Sequence, residues 1–145
     1  MEVHFETMDQ EDVRSTFTFY KQGMMPIISE AIGWDEDFQQ ERYQNRLHPD
    51  WFYWLTQNGQ RCGYVCYKYT DTHLHVHLLI LFPEYQRKGI GRKVLIRLSE
   101  EAHRKNKVLS LSAFKNNLPA IALYQSLGLQ ILSEDDLFYD FTSVM

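Results

Sequence analysis

Residues 78–98, LLILFPEYQRKGIGRKVLIRL, hold the pattern that most narrows the folds open to this chain. Leu78, Leu79, Ile80, Leu81 and Phe82 form an apolar run of strand character that stops at Pro83. A few polar residues later, Gly89, Ile90 and Gly91 open an amphipathic segment with Val94, Leu95, Leu98 and Ala102 on one side. The order is strand, glycine loop, helix. At such a junction the first helical N–H groups lack intrahelical partners and carry partial positive charge, so an anion is bound there with little side-chain help. Gly89 and Gly91 let the backbone turn tightly and approach a ligand that a Cβ would hold off, while Arg87, Lys88 and Arg92 add mobile positive charge at the rim. An ordinary strand-to-helix turn that needs glycine for geometry alone is the competing reading of so short a motif. Two familiar nucleotide loops are excluded. A P-loop ends in Gly-Lys-Ser or Gly-Lys-Thr, and a dinucleotide fingerprint needs a third glycine and an acidic residue after the next strand.

At 145 residues and 44% hydrophobic, the chain is long enough for one core and too short for two ordinary domains, so residues 1–145 are expected to form one domain. Its longest apolar stretch is about one buried strand in length, which excludes a membrane-spanning helix. The first ten residues, MEVHFETMDQ, have neither a basic lead nor an apolar signal core, so a cytoplasmic location is expected. Cys62 and Cys66 would share one face of a strand; they form neither a disulfide framework nor a zinc ribbon, and read as buried reduced thiols. The formal net charge of −4 is unevenly spread. Basic residues cluster from Arg87 to Lys107, and the chain before Asp50 is acidic. One basic helix is not the wide basic surface that a nucleic-acid partner requires.

Val3, Phe5 and Thr7 alternate with polar residues as a short strand does. Asp9 and Asp12 sit as a helix cap before Val13, Phe17 and Tyr20, which predicts a helix over residues 10–22, interrupted by Gly23 and Pro26. Two further helical pieces flank Gly33-Trp34-Asp35-Glu36-Asp37, with Asp35 or Asp37 capping the second. Trp51 to Leu55 favours a strand, Asn58-Gly59 a tight hairpin into residues 61–69, and Thr70-Asp71-Thr72 a turn into a long strand over residues 73–82. After the glycine-loop helix, residues 108–114 form a strand parallel to that long one through a right-handed connection. Asn116-Asn117-Leu118-Pro119 caps a helix that ends at Gly128, and a final strand pair covers residues 130–132 and 138–142.

Gln86-Arg87-Lys88-Gly89-Ile90-Gly91 resembles the Q/R-x-x-G-x-G/A loop of the GNAT superfamily, the GCN5-related N-acetyltransferases. Residues 117–129, NLPAIALYQSLGL, resemble that family's N-x-x-A-x-x-L-Y-x-x-x-G-F segment, with Leu129 where Phe is usual. The element order resembles the same fold over nearly the whole chain. The resemblance implies an α+β fold with αβα layers: a mostly antiparallel twisted sheet of about six or seven strands, a splayed parallel pair in it, and about four helices. It also implies an acetyl-CoA-dependent transfer to an amine, with acetyl-CoA as co-substrate and no metal.

By the same resemblance, the backbone of Leu79, Ile80 and Leu81 would pair with the pantetheine arm of the cofactor. A strand N–H there would hold the thioester oxygen as charge develops on it. The amides of Gln86, Arg87, Lys88, Gly89, Ile90 and Gly91, with Arg92, would take the pyrophosphate. Asn117 and Ala120 would contact the cofactor, and Tyr124 would protonate the departing thiolate. Tyr124 also reads as a half-buried aromatic, since Leu123 and Leu127 flank it at core-like spacing. Many members carry a glutamate base on the long strand, and this chain has none there. It offers His73, His75 and His77 instead, of which His75 and then His77 fall nearest the base position. Alternate strand residues lie about 6–7 Å apart, and no nearby Asp or Cys completes a metal site.

Residues 20–47 would form the acceptor lid. Tyr20, Trp34 and Asp35 are its candidate contacts, and their acidic, aromatic character points to a cationic primary amine, as a small molecule or on a peptide. The partners expected are therefore that amine, no nucleic acid and no membrane. The aromatic edges are compatible with a homodimer without specifying one. The alternative to an enzyme is a module that keeps the acyl-CoA wedge but has lost the chemistry.

Overall fold

In the computed structural model, which describes residues 2–144, seven strands form one sheet in the order β1-β2-β3-β4-β5-β7-β6. They are β1 (His4–Thr7), β2 (Phe52–Gln57), β3 (Gln60–Tyr69), β4 (His73–Leu81), β5 (Val108–Phe114), β6 (Gln130–Glu134) and β7 (Phe138–Thr142). Every neighbouring pair is antiparallel except β4 and β5. The helices are α1 (Gln10–Ser15), α2 (Phe17–Ile32), α3 (Glu36–Arg46), α4 (Ile90–Arg104) and α5 (Leu118–Ser126). This is the mixed α+β architecture expected from the sequence, with α1 and α2 separated by Thr16 alone.

The local signals act as their chemistry dictates. Asp9 and Asp12 close a capping box on α1, with Asp12 N donating to Asp9 Oδ1 at 2.7 Å. Asp35 accepts from Phe38 N at 3.0 Å and starts α3. Asn58 and Gly59 take φ of 53° and 75°, the left-handed pair that a two-residue hairpin requires.

Two expectations are corrected. The first helix is not broken at Gly23 and Pro26 but runs on to Ile32. Pro26 lies on the exposed side, where the carbonyl it leaves unpaired meets water, and Gly23 packs toward Ile80. The break falls at Thr16, whose hydroxyl donates to Val13 O at 2.6 Å and pairs with Tyr43 OH at 2.7 Å. Cys62 and Cys66 do not share a face. The β2–β3 register shifts between Leu55 and Thr56, which leaves Cys62 as an extra residue on β3. Cys62 therefore joins the core under α4 with Leu55 and Val65, while Cys66 joins Tyr64 on the opposite face.

The sheet separates two apolar clusters. On one face Val94, Leu95 and Leu98 of α4 pack on Leu74, Val76, Leu109 and Leu111. On the other, Val13 and Tyr43 from the α1–α3 side pack on Phe52, Trp54, Tyr64 and Cys66.

Candidate functional site

β4 and β5 pair only from His73↔Val108 to Val76↔Leu111, yet β4 continues to Leu81 and β5 to Phe114. Beyond the last pair the two strands form an open fork. On its other edge β4 stays joined to β3 as far as Gly63↔Leu81, and Phe82 N donates to Cys62 O at 2.9 Å. Strand amides alternate in direction, so those of Leu78 and Ile80 face β3 while those of Leu79 and Leu81 face the opening. Leu81 O already accepts from Gln86 Nε2 at 3.0 Å.

A cleft of about 690 Å³ occupies the fork. Its walls include Leu79, whose side chain packs with the α4 cluster, and Leu78 and Ile80, which pack with the opposite one. The cleft therefore passes through the sheet, with Asn117, Ala120 and Tyr124 of the α5 segment at one side and Tyr20 of α2 and the inner face of α3 at the other.

The glycine loop closes the α4 end of this fork. A methyl group placed on Gly91 would meet Leu79 Cδ2, Leu81 Cδ1 and Leu123 Cδ2, each at 3.8 Å, so the start of α4 lies between β4 and α5. Gly89 caps α4 in the left-handed region at φ 80°, and nothing lies within 4 Å of its Cβ position. It has no side chain with which to cap, and the first intrahelical amide is that of Lys93, donating to Gly89 O at 3.1 Å. The N–H groups of Ile90, Gly91 and Arg92 are thus left for an external acceptor. Arg87 and Lys88 are exposed beside them, and Arg92 reaches Ser126 Oγ at 2.9 Å.

Tyr124, His75 and His77 face the cleft with altered acidity. Burial pushes the Tyr124 phenol up to about 12, and its hydroxyl has no hydrogen-bond partner among the described residues. His75 and His77 both fall below the ordinary imidazole range, through burial first and then through positive neighbours, His77 to about 4. His75 Nδ1 lies 2.8 Å from Ser110 Oγ, and the two imidazole rings meet edge to face at 4.7 Å. His77 stacks on Trp51, and its buried Nε2 has no partner among the described residues. Both cysteines are held protonated by burial, Cys66 at about 12, so neither is a ready nucleophile.

The structure brings Leu79, Ile80, His75, His77, Asn117, Ala120, Tyr124 and Tyr20 to one cleft. Leu81 and residues 86–92 stand at its α4 end rather than in its lining. Trp34 and Asp35 are not brought there. Trp34 packs on Phe17 and Tyr20 and donates to Glu36 at 3.0 Å, and the Asp35 carboxylate is used as the cap of α3. Glu36 is held at about 2 by its bond to Lys21, then by Trp34 and Gln40. Asp35 and Glu36 are therefore engaged within residues 20–47 themselves. The side that α3 turns to the cleft carries Gln39, Arg42 and Arg46, and β7 adds Asp140. Sequence reasoning missed these and Ser110. Ser110 and Ser112 were legible, because they alternate with Leu109, Leu111 and Ala113 and must face away from α4.

Among the described residues no group of three or more His, Cys, Asp and Glu is placed to hold a metal ion, and no helix is long and apolar enough to cross a membrane. Over 103 residues the chain is 33% identical to the [ribosomal protein bS18]-alanine N-acetyltransferase of Escherichia coli K12, a match covering 68% of this chain and 65% of that relative. In three dimensions it resembles the PaiA N-acetyltransferase of Thermoplasma acidophilum in complex with coenzyme A, with a TM-score of 0.75 at 14% identity over 100% of both chains. It also resembles the ribosomal-protein-S18-alanine N-acetyltransferase of Escherichia coli, with a TM-score of 0.66 at 22% identity over 98% of this chain and 93% of the other. The sequence profile of the acetyltransferase (GNAT) family matches residues 11–129, and with the forked sheet and glycine-capped helix in view, the chain belongs to that family.

Proposed function

We propose that this protein moves the acetyl group of acetyl-CoA to a primary amine, by direct attack of the amine on the thioester inside the fork between β4 and β5. The observation that carries this reading is the end of pairing at Val76↔Leu111, which leaves a strand edge free beside a cleft that opens to both faces of the sheet. Acetyl-CoA fits what the chain offers: unclaimed amides at Ile90, Gly91 and Arg92 with Arg87 and Lys88 for a diphosphate, and the amides of Leu79 and Leu81 for a peptide-like arm. When bound, it supplies the activated acyl group.

The chain's own residues would do the remaining work. The amide of Leu79 or Leu81 offers a preorganised dipole where negative charge develops, and removing a donor of this kind costs roughly 2.7–4 kcal/mol. Tyr124, protonated at neutral pH, donates its proton to the thiolate that leaves. An aliphatic ammonium has a reference pKa of ~10.4 and must lose a proton before it attacks. His75 or His77, unprotonated at neutral pH, accepts that proton directly or through water. For His75, the tautomer that donates from Nδ1 to Ser110 leaves Nε2 free to act. The chain spans 65% of the length of the bS18-alanine acetyltransferase, whose name favours a peptide amine among the acceptors.

The test is release of free CoA thiol with a panel of amines and N-terminal peptides. Turnover should appear with at least one acceptor and fall by about 10²-fold or more in Tyr124→Phe while acetyl-CoA binding persists. Acetyl-CoA binding with no amine-dependent thiol release, unaltered by that substitution, would mark a sensing module instead.

A further inference from the structure

The acceptor side of the cleft is charged in two senses, and the arrangement specifies more than an amine. Gln39, Arg42 and Arg46 recur at helical spacing along α3 and all line the cleft. Gln39 lines the cleft at 7% exposure; its Oε1 accepts from Tyr20 OH at 3.0 Å, and its Nε2 has no acceptor among the described residues. Neither arginine pairs with a carboxylate among the described residues, although α3 itself carries Glu36, Asp37 and Glu41. One stripe of the helix thus presents N–H donors and positive charge that no carboxylate among the described residues receives. A planar guanidinium matches a carboxylate in shape as well as charge.

The opposite wall is negative. Asp140 lines the cleft, opposite Ser112 in the β5–β7 register, one residue beyond the last β4–β5 pair, and so at the base of the fork. Its carboxylate accepts from Ser112 Oγ at 2.6 Å and Ser133 Oγ at 2.8 Å, is paired with no cation among the described residues, and acts on His75 through space. An ammonium drawn to Asp140 arrives beside His75 and the fork, where the reacting amine belongs.

We infer that the acceptor carries a carboxylate as well as an amine, with Gln39, Arg42 and Arg46 holding the carboxylate while the amine sits by Asp140. This rests on the transferase reading and narrows it. The same pair of groups occurs in a free amino acid and in a peptide whose second or third residue is Asp or Glu.

Thiol release is measured for matched peptides, amidated at the C-terminus, with Glu, Gln or Lys at the second or third position, and for free amino acids against their amides. The carboxylate form of one set should exceed its isosteric amide by about ten-fold in kcat/KM, and the set that does so identifies the source. In Arg42→Gln/Arg46→Gln the ratio should fall to about one, and in Arg42→Glu/Arg46→Glu the Lys peptide should overtake the Glu peptide. Ratios near one in the unaltered protein, or a preference that survives both double variants, overturn the inference. A second readout needs no turnover: calorimetric binding, in the presence of CoA, of the N-acetylated Glu peptide and N-acetylglutamate against their Gln counterparts. Charge-dependent binding that the double variant loses, without turnover of any acceptor, sinks the transferase reading and leaves the carboxylate site standing as a ligand site rather than an acceptor site. Turnover without charge preference sinks the present inference alone, and absence of charge dependence in both readouts also overturns it.

Discussion

Gly63 stands where β3 lies directly against the backbone of β4, and Gly63→Ala should damage both stability and the fork. A Cβ at this position would lie 2.2 Å from Ile80 O, 2.8 Å from Leu81 Cα and 3.0 Å from Leu81 Cδ2. The first two are backbone atoms of a strand held in register on both sides of the contact, so no rotamer change relieves them. β4 must move away by about 1 Å to restore ordinary contact, against pairing at Tyr64↔Ile80 and Gly63↔Leu81. Overpacking a well-packed site typically costs about 1–3 kcal/mol, and backbone opposition places this substitution at the upper end. With an unfolding entropy of roughly 2.1 cal/mol/K per residue, 3 kcal/mol corresponds to a Tm lowered by about 10 °C. The strand that moves is the one whose Leu79 and Leu81 amides face the opening, and a misplacement of about 1 Å costs on the order of 10²-fold in rate. Differential scanning calorimetry and thiol release on the same preparation check both effects. A Tm within about 2 °C of the unaltered protein would refute the argument, because it would mean that β4 is not fixed against β3 at this contact.

Other consequences follow from the same geometry. Gly89→Ala forces a side chain into φ 80° and should cost roughly 1–2 kcal/mol, seen as a lower melting temperature in calorimetry. Gly91→Ala adds a methyl at ordinary contact distance, so its melting temperature should stay within about 2 °C. If a histidine is the base, protonation abolishes activity, and with both imidazoles shifted down the acid limb of kcat/KM should lie below pH 6.5; a limb above 7 would exclude both. Stability follows the same sign. The unfolded chain binds more protons at these histidines than the folded one, so their contribution is present above pH 6.5 and is lost as pH falls toward 4, which a thermal melt series against His77→Phe should register.

Much of the scaffold could be read because local chemistry and tertiary demand agree in it. Asp9, Asp35, Asn58-Gly59 and Asn117 each hold a turn or cap that their side chains or left-handed backbones favour. The glycine loop was legible for the same reason. What was not legible depends on packing between distant segments. Pro26 signals a break only if its freed carbonyl must be buried, and the surface position of that side of α2 removes the need. Cys62 changes face through a bulge that nothing in its neighbourhood announces. The lid was read from its composition, which cannot separate a carboxylate that caps a helix from one that faces a ligand. Asp35 and Glu36 proved to be engaged inside the lid, and the charge turned to the cleft is that of Arg42 and Arg46.

A single extra residue in β4 lies where the fork opens. The β3–β4 register shifts between Cys66↔Leu78 and Tyr67↔Val76, so His77 is the residue that β3 does not match. Before it, Leu74 and Val76 face α4; after it, Leu79 and Leu81 do, so the side-chain parity of β4 reverses at His77. Had strict alternation continued through His77, Leu78 and Ile80 would turn toward α4, and Leu79 and Leu81 would lose their contacts beside Gly91. A bulge also bends its strand and increases its local twist, and the last β4–β5 pair is Val76↔Leu111, one residue before the bulge. The bulge thus sits at the base of the fork, where it turns Leu79 and Leu81 toward α4 and Leu78 and Ile80 to the acceptor face, which His75 and His77 already occupy by their alternation with Leu74 and Val76.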